Sequence, residues 1–297
     1  MTAKNKILAV LAVIVGVFMI TIAPFLIQTS VERVVSALIK VSAQKPAYAS
    51  GIQIFSLIFP VYRGLIFVGG IALILMSGAI AKGEKWTYPA SLFASALPAA
   101  GGMFMFLPYI SFIDGLPLPL IVSMVGLIFF WSTILMRNED KWLRWAHFLS
   151  LTFAGMLTTH ALVTGTGNIR TLMTRPTKPL FDGLGEWVLA WSAPIQWIAA
   201  IMLFIAIYLI ASKKAAGWWF ALIAATSLLL MNVSMQYIRL TMTASTAWDY
   251  SYSLPILAGL FIALLHPKFR AKLKPDEAGD EVELKKPDPD LSLSAAT

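Results

Sequence analysis

"RWAHFLSLTFAGMLTTHALVTG" (Arg144–Gly165) opens on an arginine and a tryptophan and then runs without a charged side chain to its closing glycine. About 20 apolar residues in an α-helix cross the roughly 30 Å hydrocarbon core of a bilayer. A basic, aromatic start suits a headgroup interface. The stretch therefore reads as a membrane span over approximately 143–164. Seven more segments repeat the pattern: approximately 7–28, 55–81, 87–111, 117–136, 187–211, 216–241 and 251–266. Composition agrees, because 13% of the 297 residues are charged, about half the usual share in a soluble domain. The expected fold is all-α, a polytopic bundle of about eight transmembrane helices.

Charge sets the orientation. With the N-terminus in the cytoplasm, fifteen Lys and Arg lie inside, six outside, and Arg63 and Arg239 within spans. The opposite orientation inverts that ratio, so the positive-inside rule places both termini in the cytoplasm. The net charge of +8 is then an anchoring signal, and no basic patch on a soluble module points to nucleic acid. Trp86, Trp131, Trp142, Trp187, Trp191, Trp218 and Trp219 fall near span ends, as an aromatic belt requires. The first span has a basic start like a signal peptide. Its apolar run is too long and lacks a clear cleavage site, so a retained anchor is expected. Cysteine is absent, which removes disulfides, thiolate metal sites and a Cys nucleophile.

The organisation expected is a transmembrane helical domain over 1–268 and a cytoplasmic tail over 269–297. From Pro275 onward the tail is acidic and free of aromatic residues, the composition of a disordered segment. Within the domain, Val31, Val34, Val35, Leu38 and Val41 recur at helical spacing, predicting an amphipathic surface helix over 30–44. The glycine- and proline-bearing stretch 165–185 reads as a long extracytoplasmic loop with Arg170, Arg175 and Lys178.

Polar residues at membrane depth are expensive and mark function by default. No Asp or Glu lies centrally in a span; Glu32, Asp114, Asp182, Glu186 and Asp249 lie outside or at the rim. That disfavours ion-coupled transport. Asn232, Gln236 and Arg239, at i, i+4 and i+7, share one helix face. Gln53, Ser56, Pro60 and Arg63 form a stripe on the second span, and Met156, His160 and Thr164 align on the fifth. In the chosen orientation His160, Arg63, Gln236 and Arg239 all lie in the outer half of the bilayer. If those faces converge, they make a cationic pocket for a quinone head, a heme propionate or a lipid phosphate. The plainer alternative is that both arginines snorkel to headgroups. The thirteen methionines read as packing residues. No phosphate loop, zinc-protease, serine-hydrolase or prenyl-diphosphate motif is present.

"KWLRWAHFLSLTFAGMLTTHALVTG" (Lys141–Gly165) resembles the Arg-x-x-His opening of helices in b-type cytochrome and quinol-reactive membrane anchor subunits. The resemblance covers about 25 residues. It implies a membrane subunit binding heme b or quinone, with His160 and His147 as metal ligands. The sequence departs from that family at two points. Thirteen residues separate the histidines, which turns them about 220° apart, whereas the family's fourteen leaves about 40°. A second helix must also supply partners, and the only other histidine is His266. Two bis-histidine hemes are thereby excluded; one heme, on His160 with a Met or on His147 with His266, remains open. The alternatives are an interfacial His147 beside Trp145 and an interhelical hydrogen bond from His160 to a Thr or a backbone carbonyl.

These readings lead to the membrane-anchor subunit of a respiratory electron-transfer complex in the cell membrane. It would contact quinone or heme near the extracytoplasmic face through His160, Arg63, Arg239 and Gln236. An extracytoplasmic redox subunit would dock on 165–185 and 242–250. An integral-membrane enzyme acting on a lipid or isoprenoid and a carboxylate-independent permease are the alternatives. No acid–base pair is visible that would name a catalytic residue.

Overall fold

In hydrocarbon every backbone N–H and C=O must be satisfied within its own segment, so apolar runs become helices. The computed structural model describes residues 2–137, 140–173, 183–242 and 248–274, and among them it contains helices and no strand. The helices are α1 (Ala3–Thr21), α2 (Ala23–Ser42), α3 (Ala49–Lys82), α4 (Thr87–Phe112), α5 (Leu118–Arg137), α6 (Lys141–Met173), α7 (Leu184–Ala211), α8 (Ala215–Met242), α9 (Ser253–Leu265) and α10 (Pro267–Leu273). A short 3-10 turn, Pro46–Tyr48, joins α2 to α3. Seven helical units are long and apolar enough to cross a membrane, with α1 and α2 counted together. The α9–α10 pair, bent by 75°, is an eighth crossing only if both parts are taken as one. The chain is an all-α polytopic membrane protein.

Three boundaries differ from the sequence reading. Helix α6 does not stop at residue 164 but continues through Met173. A Cβ on Gly165 would come 2.7 Å from the Trp197 ring of α7, so this glycine permits a close helix crossing and does not make a turn. Residues 174–182 of the expected loop, with Arg175, Lys178 and Asp182, lie outside the described residues, as do 243–247 and the tail from Pro275. The stripe that predicted a surface helix over 30–44 belongs to α2, which carries on from α1 after Ile22. Its Val34 and Leu38 are buried in the bundle, with Gly51 of α3 against Leu38. Helix α9 has 13 residues and spans only about 20 Å.

Length then builds a layer outside the membrane. The 34 residues of α3 and the 33 of α6 extend about 50 Å each at 1.5 Å per residue. With Lys82 and Lys141 on the cytoplasmic side, as the charge distribution leads one to expect, the surplus projects outward. There α2, the 3-10 turn and the outer ends of α3, α4 and α6 gather. Arg33 Nη1 donates to Tyr109 Oη at 2.8 Å, the Arg170 guanidinium lies 5.5 Å over the Tyr48 ring, and Tyr48 meets Phe112 edge-on at 6.0 Å.

The bundle has two halves. Helices α1–α5 pack mainly on one another, as do α6–α9, and α4 bridges the halves by lying against α6 and α7.

Candidate functional site

The face of α8 carrying Asn232, Gln236 and Arg239 meets α7 and the non-helical strap 248–252 that leads into α9. Asn232, 1% exposed, is the hub. Its Oδ1 accepts from Gln196 Nε2 of α7 at 3.1 Å and its Nδ2 donates to Ser253 Oγ of α9 at 2.8 Å. Ser253 Oγ in turn donates to the Tyr250 carbonyl at 2.7 Å. Gln236 Oε1 accepts the Ser251 backbone N–H at 3.2 Å. Arg239 pairs with the Asp249 carboxylate at 3.0 Å, in a half-open position with the two side chains 35% and 52% exposed.

Helix α6 supplies the opposite wall. His160 Nε2 lies 2.9 Å from the Asp249 carbonyl oxygen. A carbonyl only accepts, so Nε2 carries the hydrogen, and the neutral ring keeps its lone pair on Nδ1. That Nδ1 is buried with no hydrogen-bond partner. Two turns farther out, Asn168 Nδ2 donates to Ser192 Oγ of α7 at 2.7 Å. Its Oδ1 accepts from the Tyr250 phenol, whose pKa burial pushes up to about 12. The strap thus has its polar backbone groups at Asp249, Tyr250 and Ser251 bonded to side chains of three helices. Irregular backbone near membrane depth requires this kind of satisfaction.

The four residues expected to share a pocket are divided. His160, Gln236 and Arg239 come together around the strap. Arg63 does not join them: its Nη1 donates to Gln28 Oε1 of α2 at 2.6 Å. Each arginine has a protein partner. Asp249 balances the charge of Arg239, so the cluster is less cationic than expected. Arg63 and His160 both lie 19 residues from the Lys82 and Lys141 ends of their helices. That is about 28 Å, near the outer edge of the hydrocarbon.

The histidines do point apart. His147 is buried toward α4, with Nδ1 2.8 Å from Tyr88 Oη and the rings stacked at 5.8 Å. Its Nε2 is buried and has no hydrogen-bond partner. His266 sits at the α9–α10 bend against Phe269, at 4.9 Å. To ligate iron, His160 or His147 would have to give up its present bond or open the protein around its second nitrogen. Among the described residues no three His, Asp or Glu side chains stand together as a metal site.

Several members of the cluster escaped the sequence reading: Asn168, Ser192, Gln196, Tyr250 and Ser253. A signal did exist for two of them, since Ser192 and Gln196 stand at i and i+4 on an otherwise apolar helix. More polar capacity remains along the α6–α7 contact, where Gln196 Oε1, Trp197 Nε1 and Thr166 Oγ1 are buried without hydrogen-bond partners. No protein-family model, curated protein or solved structure matches this chain.

Proposed function

We propose that this chain is the membrane-anchor subunit of an electron-transfer complex in the cell membrane. It docks an extracytoplasmic redox subunit and presents a quinone to it beside the Arg239–Asp249 pair. The observation that carries this reading is a coincidence of place. The helical layer that overshoots the bilayer and the densest polar cluster lie at the same, outer end of the bundle. A quinone carbonyl needs a hydrogen-bond donor and a quinol hydroxyl needs an acceptor; the half-open guanidinium and carboxylate offer one of each. A quinol oxidised here gives its protons to the outer side through Asp249 and its electrons to the docked subunit. His160 and Gln236 hold the strap that positions Asp249.

The test is purification of the full chain from its native membranes in mild detergent. Expected are a co-purifying extracytoplasmic redox protein and bound quinone, with quinone lost in Arg239→Leu while the helical circular dichroism is kept. Isolation of the chain alone, with neither quinone nor a redox protein, overturns the proposal. A reduced-minus-oxidised b-type signal that disappears in His160→Ala would put a heme where the quinone is proposed.

A further inference from the structure

Helix α10 turns by 75° from α9 where Pro267 follows His266, and it lies across the first turns of α6 and α8. Its apolar residues Phe269 and Leu273, one turn apart, are buried. Phe269 meets Trp142 of α6 at 6.0 Å. On the α8 side, Trp218 Nε1 donates to the Leu264 carbonyl at 2.8 Å, which fixes this indole beside the end of α9.

The cations of this segment divide into two pairs. Lys268 and Lys272 turn toward α6: Lys268 Nζ lies 4.6 Å over the Trp142 ring, and Lys272 Nζ pairs with the Asp140 carboxylate at 2.6 Å. Arg270 and Lys274 turn toward α8. The Arg270 guanidinium lies 5.4 Å from the Trp218 ring centre, and Lys274 Nζ lies 5.8 Å from that ring and 5.2 Å from the ring of Trp219. The two indoles meet edge-on at 4.7 Å. The Lys274 N–H donates to the Arg270 carbonyl at 2.8 Å, so the two side chains stand one turn apart. Like charges at that spacing repel. A carboxylate answers Lys272, whereas among the described residues only indole rings answer the Arg270 and Lys274 side chains. An indole face attracts a cation without cancelling its charge.

We propose that Arg270 and Lys274, held on the Trp218–Trp219 pair, bind the phosphate of an anionic phospholipid headgroup. Guanidinium and ammonium supply the charge-assisted donors that a phosphate oxygen takes. Its negative charge relieves their repulsion, as Asp140 does beside Lys272. Place selects a lipid over a soluble anion. Trp142 and Trp219, 44% and 47% exposed, flank α10 in the first turns of α6 and α8, where tryptophans mark the bilayer interface. A helix at that depth with its apolar side buried and its basic side outward faces headgroups. With the Lys141 end of α6 expected in the cytoplasm, the leaflet is the inner one. The site lies at the opposite end of α8 from Arg239 and is independent of the redox reading.

Lipid binding by the full chain in mild detergent, counted by native mass spectrometry, tests it. The wild type should take up phosphatidylglycerol in preference to phosphatidylcholine. Arg270→Gln with Lys274→Gln should weaken that preference roughly 30-fold. Lys4→Gln with Lys6→Gln removes the same charge from the start of α1, at the same end of the bundle, where Asn5 lies against Gly83. That control should leave the preference nearly unchanged. Equal losses in the two double variants overturn the proposal, because the preference would then follow total charge. So does a wild type without a preference, or one that gains it only through Asp276→Asn with Glu277→Gln, which would give the face to the acidic segment after Lys274. A second measurement needs no variant. Phosphatidylglycerol with a diazirine on its headgroup, irradiated with the wild type, should label α10 and Trp219; label confined to the ends of α1 and α3 overturns the assignment.

Discussion

Helices α1–α5 cross mainly on glycines, whereas α6–α9 add a network of amides and hydroxyls to glycine contacts such as Gly165 against Trp197 and Gly259 against Phe153. In the first group a Cβ on Gly16 would come 2.7 Å from the Gly70 carbonyl, one on Gly69 2.8 Å from that of Ala94, and one on Gly126 2.8 Å from the Ala99 nitrogen. Its buried hydroxyls at Ser30, Ser95 and Thr133 back-bond to their own helices, and one, Ser123 of α5, crosses to the Ala99 carbonyl of α4. In the second group Asn168, Ser192, Gln196, Asn232 and Ser253 link four helices. Lipid is as apolar as leucine, so helices in a membrane adhere either by close backbone packing or by hydrogen bonds. The first device needs only small residues and carries no chemistry. The second places donors and acceptors where a ligand or partner can use them, which is why the candidate site belongs to the second half.

The contrast is broken most severely at a glycine crossing. Gly126→Leu drives a side chain into backbone of α4 and should lower stability by about 3 kcal/mol, read as a fall in thermal midpoint in detergent. The same change at Gly64, with open space around it, should be close to neutral. Equal effects at the two positions would mean that close approach is not what joins α4 and α5.

Next in size is Asn232→Leu, which removes both bonds of the hub and should cost about 2 kcal/mol. A double-mutant cycle with Gln196→Leu sharpens the comparison, because coupled losses are expected here and simple additivity between Asn232 and Gly126. Additivity within the 196–232 pair would contradict a connected network.

A smaller loss, about 1 kcal/mol, is expected for Tyr250→Phe, which deletes the phenol's bond to Asn168. It carries a pH signature as well. The folded phenol's pKa is raised to about 12 by burial, above its ordinary value near 10. The neutral phenol therefore contributes stability that is complete below pH 10 and is lost as pH rises toward 12. That alkaline decline should be missing in Tyr250→Phe; an unchanged decline would assign it to another group.

The least effect belongs to the exposed Asp140–Lys272 pair, 2.6 Å apart where α6 meets α10. The hydrogen bond from Lys272, with backbone bonds from Leu143 and Trp142, holds the Asp140 carboxyl below the usual range. Its contribution is present above the ordinary carboxylate pKa and lost as pH falls through the lower folded value. Asp140→Asn should therefore differ slightly from wild type at neutral pH and not at all in strong acid.

Much of the site's raw material was legible beforehand. Asn232, Gln236 and Arg239 were read as one face, and all three turn to the strap or α7. The 220° between the histidines separates Tyr88 from Asp249 as their partners, and the carbonyl bond of His160 is one of the alternatives the sequence left open. What escaped was pairing across the chain. Nothing near Arg63 announces Gln28, which is 35 residues away. Nor does the Gly165–Asn168 stretch, which looks like a turn, show that Trp197 and Ser192 hold it helical. The strap's Tyr250 finds Asn168 only because α9 is too short to lift it clear of the bundle.

Hydropathy, charge and the 3.6-residue period are properties of neighbouring residues, so the sequence alone determined the helices and their membrane character and set the expected orientation. Which helix lies beside which depends on where glycines allow approach and where buried amides find partners, and only the tertiary structure decided that. It split the expected four-residue pocket in two and matched Arg239 with Asp249.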